Sequence, residues 1–168
     1  MQTFIARFKE KEASRFKLKV GVFAFIMNHD KVLLLRRFQT GREDGMYVLP
    51  MGGHDGKEPL TQAVIREMKE EINICVKPEN LSVCHVMHRF HHMPQEDISY
   101  EQIDVIFAVK SYEGIIQNNE PDKCDALDFF PIADLPVNTS PFIKEILRCI
   151  QCGEFYSEFG FTIGEEHA

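Results

Sequence analysis

The sequence predicts a single mixed α/β (α+β) domain with a helix on each face of its sheet. Three observations predict it: β-branched and aromatic runs recur along the chain, two stretches carry helical periodicity, and short polar turns separate them. LKVGVFAFIM (18–27) is the first run; the turn cluster Asn28-His29-Asp30 leads to KVLLLRR (31–37), so the two read as a β-hairpin. A polar loop, FQTGREDG, precedes a short strand at MYVL (46–49). Pro50 to Gly56 is a loop with three glycines, and Pro59 opens a helix that runs to about Ile72. LSVCHVMHRF (81–90), QIDVIFAVKSY (102–112) and ALDFFPI (126–132) are strand-like, with a polar loop containing Pro94 between the first two. A second amphipathic helix runs from about Ser140 to Cys152, with Pro141 near its start and Gly153 after its end. The order is therefore β-β-β-α-β-β-β-α, expected over residues 18–168 behind an N-terminal arm at 1–17.

The 168 residues suit one domain with a real core, and 44 % hydrophobic against 27 % charged residues argues against disorder. A formal net charge of −7 excludes a protein built to wrap a nucleic-acid backbone, so no stable nucleic-acid partner is expected. An acidic chain that handles phosphates needs a cation between itself and its ligand. The longest apolar run, Val20 to Met27, is far shorter than the ~20 residues of a spanning helix, and the N-terminus lacks a signal peptide's uninterrupted core. Five cysteines at scattered spacing read as reduced thiols of a cytoplasmic protein; Cys149 and Cys152 form one isolated CxxC, spare helix cysteines rather than a zinc site.

Chemistry concentrates in GGHDGKEPLTQAVIREMKEEINI (52–74). At 100° per residue Glu67, Glu70 and Glu71 share a ~100° arc, with Ala63 leaving room above them. Val64, Ile65, Met68 and Ile72 gather on the adjacent, core-facing arc. Like charges at i, i+3 and i+4 each cost ~0.2–0.5 kcal/mol on an exposed helix. A solvated acidic face usually intersperses cations, and this arc has none. Oxygen-only ligands favour Mg²⁺ or Mn²⁺.

The stretch resembles the Nudix box, G-x(5)-E-x(7)-R-E-U-x-E-E-x-G-U with U aliphatic. Counted from Gly52, residues Glu58, Arg66, Glu67, Met68, Glu70, Glu71 and Ile74 all fit; counting from Gly53 displaces every one. Asn73 stands where the box has Gly, at a helix end that wants a left-handed residue, and Asn tolerates that conformation best after Gly. Six exact matches at ~0.06 each arise by chance in about 10⁻⁵ of chains this long. Flanking segments (LLLRRFQTGREDGMYVLP, HVMHR, EPDKCDALDFFP and YSEFGF) are similar to a bacterial MutT-like, ADP-ribose-pyrophosphatase-like group.

The resemblance implies a mixed sheet sandwiched between helices and a pyrophosphohydrolase acting on a small nucleotide. Its substrate is a nucleoside diphosphate linked to another moiety X, such as ADP-ribose or a sugar nucleotide, or a nucleoside triphosphate. The alternative is a non-catalytic module on the same fold that binds a nucleotide or a protein. The family implies Mg²⁺ or Mn²⁺ held by Glu67, Glu70 and Glu71, with the Gly52 carbonyl as a further ligand and with Glu58 steadying the loop–helix junction or reaching the metal site through water. Arg66 is expected in an ion pair that fixes a box glutamate. The general base is left open between Glu67, Glu70 and Glu120 on the late loop. Arg36, Arg37, Arg42, Arg89 and His88 are candidate phosphate or substrate contacts; Arg36 and Arg37 point to opposite strand faces, so at most one meets the cleft. Phe38, Tyr47 and Phe90 are candidates to stack a base. A proline expected about 16 residues past the box in ADP-ribose-type members falls on Phe90, with Pro94 near. The tail YSEFGF is expected to fold over the domain or to meet a second subunit in a homodimer.

Overall fold

The computed structural model describes residues 3–93 and 98–161; Pro94 lies outside them. Helix α1 (Phe4–Ser14) forms the N-terminal arm, capped by the Thr3 hydroxyl, and buries none of its residues. Strands β1 (Lys19–Phe25), β2 (Met27–Asn28), β3 (Lys31–Arg37), β4 (Tyr47–Val48) and β5 (Met51–Gly53) precede helix α2 (Leu60–Ile72). Then come β6 (Leu81–Met93), β7 (Ile98–Val109), β8 (Cys124–Pro131), helix α3 (Pro141–Cys152) and β9 (Tyr156–Phe159). Among the described residues no helix is long and apolar enough to cross a membrane.

The strands form two sheets. One has the order β5-β1-β7-β6-β9, with β1–β7 and β6–β9 parallel and the remainder antiparallel. In the other, β3 pairs with β2, β4 and β8, all antiparallel. The hairpin expected of 18–27 and 31–37 is therefore confined to its tip, where Met27 and Asn28 face Val32 and Lys31. Beyond it the chain parts at Ile26, which is buried in the core, and β1 and β3 enter different sheets.

Alternation along the strands sorts side chains into two cores. Val22 and Ala24 of β1 and Val105 and Phe107 of β7 meet Val64, Met68 and Ile72 of α2. Phe23 and Ile106, one residue out of phase, meet Phe142, Ile143, Ile146 and Leu147 of α3. One helix thus covers each face, as the sequence predicts. Each fully buried aliphatic side chain contributes about 1.5–3 kcal/mol. Ala63 belongs to the α2 core rather than standing open above the glutamates. The tail folds onto its own domain, with β9 running beside β6 and Gly160 so close to the Phe90 carbonyl that an added Cβ would lie 2.1 Å from its oxygen.

Candidate active site

Helix α2 carries the acidic motif, and its ends fix where the carboxylates point. Asn73 closes it in the left-handed conformation (φ 58°), and the N–H groups of Asn73 and Ile74 return to the Met68 carbonyl. The buried face of α2 sits on β1, so Glu67 and Glu71, one turn apart, face the neighbouring β5. There Gly52 leaves room for the carboxylate: a Cβ at that position would lie 1.8 Å from the Glu67 Cδ, so the carboxyl end of Glu67 would have to move. Glu71 Oε2 accepts the Met51 N–H at 2.8 Å.

Arg66 ties the motif together. Its Nη1 donates to Glu67 Oε1 at 2.6 Å and to Glu70 Oε2 at 3.3 Å; its Nη2 donates to Glu58 Oε1 at 3.1 Å and to the Gly53 carbonyl at 3.0 Å. The guanidinium thus joins the loop before α2 to the helix. Glu58 also takes the Asp55 N–H, and the Arg66 hydrogen bond holds its carboxyl below the usual range.

Glu67 and Glu71 line a cleft of about 450 Å³ with Glu120, Gly52, Gly53, Arg37, Thr40 and Lys123. Glu120 is brought there by the loop before β8. Asn119 donates to the Glu70 carbonyl through its side chain and to the Glu71 carbonyl through its N–H, both at 2.9 Å, so the loop satisfies the last turn of α2. Asn118 accepts the Glu120 N–H at 3.1 Å, and Lys123 pairs with the Glu120 carboxylate at 2.7 Å. Asn118 and Asn119 were not predicted from sequence; their signal is two amides placed directly before a candidate acid.

The electrostatics of these carboxylates differ. Burial pushes Glu71 up to about 8 against the Met51 N–H, with Glu67 and Glu120 adding repulsion. Burial also raises Glu67, against its Arg66 bond, and the Glu67 side chain is 14 % exposed. Glu70 stands at the rim, 52 % exposed, and does not line the cleft. Among the described residues no three His, Cys, Asp or Glu side chains converge as a ready metal cage.

Across Gly52 and Arg37 the cleft opens into a second half of about 450 Å³ lined by Lys19, Arg37, Arg42, Arg89, Glu43, His54 and Gln102, with Phe23 and Met51 as its apolar wall. Three of the predicted substrate contacts, Arg37, Arg42 and Arg89, therefore meet the cleft. Two do not. Arg36 points away on β3 and forms a two-pronged pair with Asp125 at 2.7 and 2.9 Å. His88 bonds Glu101 at 2.9 Å and packs on Phe161. Sequence placed Arg36 and Arg37 on opposite faces; in the structure Arg37 is the one that lines the cleft. Phe38, Tyr47 and Phe90 line neither half. His85 is buried and bonded to the Glu154 carbonyl and Ser157 hydroxyl, so it locks the tail onto β6.

The NUDIX domain family model matches residues 17–149. An ADP-ribose pyrophosphatase of Methanocaldococcus jannaschii is 24 % identical over 147 residues, covering 83 % of this chain and 82 % of that protein. Among solved structures, the MutT NUDIX hydrolase of Burkholderia pseudomallei superimposes with a TM-score of 0.69 at 26 % identity, over 79 % of this chain and 98 % of that one. A MutT protein of Bacillus halodurans gives a TM-score of 0.68 at 22 % identity, over 86 % and 91 %. With the motif, the fold and the family model in agreement, this chain belongs to the Nudix family.

Proposed function

We propose that this Nudix pyrophosphohydrolase cleaves the pyrophosphate bond of a nucleoside diphosphate linked to another moiety, in a divalent-cation-dependent attack of water on phosphorus. One observation carries the reading: Glu67 and Glu71 line one cleft with Glu120, and burial raises both Glu67 and Glu71 even though Arg66 bonds Glu67. The donor set is all oxygen, which fits Mg²⁺ or Mn²⁺ and does not fit a soft metal. Glu67 and Glu71 would hold the cation, with the Gly52 carbonyl beside them; Glu70, now at the rim on Arg66, would complete the set by turning inward. A bound cation neutralises charge on the phosphate oxygens and acidifies water.

The remaining work falls to the chain. Arg66 keeps Glu67 aimed and ties Glu58 to the loop–helix junction, so Glu58 acts by positioning. Glu120, held by Asn118 and Asn119, takes the proton of the attacking water. Arg37, on both halves of the cleft, meets the phosphates. The ADP-ribose pyrophosphatase relative supports a diphosphate-linked substrate over a nucleoside triphosphate. The reaction is cytoplasmic in this reading.

The test is a panel of nucleoside diphosphate derivatives and triphosphates assayed with Mg²⁺, Mn²⁺ or EDTA, with products identified. ADP-ribose yields AMP and ribose 5-phosphate, whereas a triphosphate yields the monophosphate and pyrophosphate. The reading fails if nothing is turned over, if EDTA has no effect, or if Glu70→Gln matches wild type.

A further inference from the structure

The basic half of the cleft holds two guanidinium groups whose hydrogen bonding the protein leaves unfinished. Arg89 is 3 % exposed. Its Nε donates to Asp104 Oδ2 at 2.7 Å and its Nη2 reaches Oδ1 at 3.5 Å, but its Nη1 is buried without an acceptor among the described residues. Arg42 has its Nε buried in the same condition, and its guanidinium lies 4.9 Å from the Tyr100 ring centroid, which accepts no ordinary hydrogen bond. A buried donor left unpaired has lost its hydration without gaining a partner. Burial and the nearby Arg89 also pull Arg42 below its ordinary range.

Among the described residues, what this half lacks is a free acceptor carrying charge. Four cations line it (Lys19, Arg37, Arg42 and Arg89), and its one lining carboxylate, Glu43, already takes the Ser140 hydroxyl at 2.8 Å. Asp104, behind Arg89, is engaged by Arg89 and Gln102. Lys19 sits 4.1 Å from the Tyr100 ring centroid, on the ring that also carries Arg42. The loop that delivers Arg42 is fixed in advance. Arg37 Nε donates to the Arg42 carbonyl at 2.8 Å, and Asp44 takes the Thr40 and Gly41 N–H groups at 2.9 and 3.0 Å.

Taking the acidic half as the place where the pyrophosphate is cut, the geometry points to the basic half as a site for a second anionic group, a phosphate or carboxylate carried on the substrate beyond the scissile bond and held by Arg42 and Arg89. Guanidinium groups suit this because they present paired donors to paired oxygens. A neutral base or sugar supplies acceptors but no charge to offset the cations.

The anion site is tested without turnover. In EDTA, inorganic phosphate is titrated against the full chain by phosphorus NMR line broadening. Wild type is expected to bind and Arg42→Gln to bind at least tenfold more weakly, with Arg42→Lys between them. Arg42 is chosen because replacing Arg89 strands the buried Asp104; circular dichroism and melting confirm that the Arg42 variants fold. No binding by wild type, or equal binding by Arg42→Gln, overturns the site.

Use by the substrate is tested with Mg²⁺ on pairs differing by one acidic group: NADP against NAD for a phosphate, UDP-glucuronate against UDP-glucose for a carboxylate. At least tenfold preference in kcat/KM for the charged member of one pair is expected, with the ratio collapsing in Arg42→Gln. Ratios within threefold in both pairs overturn the substrate assignment. Arg42-dependent phosphate binding alongside no turnover of any substrate overturns the hydrolase reading and supports the anion site.

Discussion

The two halves of the cleft share Arg37, Met51, Gly52 and Gly53 yet are built by opposite means. The acidic half draws Glu67 and Glu71 from a single helix, one turn apart, and fastens them to backbone and to Arg66. The basic half draws its cations from β1, β3, the loop after β3 and β6, segments that meet only in the folded chain. One half is excess negative charge on a rigid rod; the other is excess positive charge on a convergence of strands and a loop. The lesson is a division of labour: the helix half suits fixed chemistry, and the assembled half suits recognition that differs between relatives.

If that division holds, substitutions in the acidic half lower kcat and those in the basic half raise KM. The largest effect is expected for Glu67→Gln, which keeps shape but removes charge: kcat should fall about 10³-fold with KM little changed. Gly52→Ala tests the same carboxylate from the other side, because its Cβ would force the Glu67 carboxyl out of its present place. Displacing Glu67 should cost about 10²-fold in kcat, with a stability loss of about 1–3 kcal/mol seen in thermal melts. A pure KM effect in either variant would break the division.

Glu71 offers a readout in stability. Its carboxyl is raised to about 8 by burial, so in EDTA the fold favours its neutral form. An acid raised on folding contributes least when both states prefer it charged. Metal-free stability should therefore fall as pH climbs from the ordinary carboxylate range toward about 8 and level off above it. Glu71→Gln should flatten that slope and raise the EDTA melting temperature at pH 8.5 by an amount equivalent to about 1–3 kcal/mol. Mg²⁺ should stabilise wild type more than the variant.

Arg37 sits on the boundary and sharpens the comparison. It faces both halves and braces the Arg42 loop through the Arg42 carbonyl and the Thr40 hydroxyl at 3.0 Å. Arg37→Ala should raise KM about tenfold and change kcat less. A larger fall in kcat than rise in KM would assign Arg37 to the acidic half.

This asymmetry also explains what the sequence disclosed. Glu58, Arg66, Glu67, Glu70 and Glu71 were legible because their spacing is local, and a helix converts spacing into direction. The two layers of core follow the alternation in VGVFAF, which puts Val22 and Ala24 on one face and Phe23 on the other. Long-range pairing was not legible. Nothing in KVLLLRR says that β3 leaves β1 for β8, and the Asp125 that holds Arg36 lies 89 residues away. His88 lies outside both halves of the cleft for a similar reason, since its partners Glu101 and Phe161 arrive from β7 and the tail. Arg89 was named as a phosphate contact, but its pairing with Asp104 depends on strand register no single segment encodes.

The smallest expected effect probes the one fixed motif position that departs. Asn73 holds φ 58°, where glycine is more at ease, but its side chain accepts the Lys69 ammonium at 2.7 Å on an exposed helix end. Asn73→Gly relaxes the backbone and loses that hydrogen bond, so the two should nearly cancel, leaving stability within about 0.5 kcal/mol of wild type. Asn73→Ala has no such compensation and should cost about 1 kcal/mol. Neither should move KM, because Asn73 lines neither half of the cleft. For kcat the outcome is more informative. Asn119 reaches the Glu70 and Glu71 carbonyls at this same helix end and carries Glu120 behind it. A melt and a kcat measurement on Asn73→Gly therefore separate two cases. Unchanged kcat means that the helix end only terminates α2; a several-fold change at constant stability means that its backbone sets the position of the Glu120 loop, extending the acidic half beyond the helix.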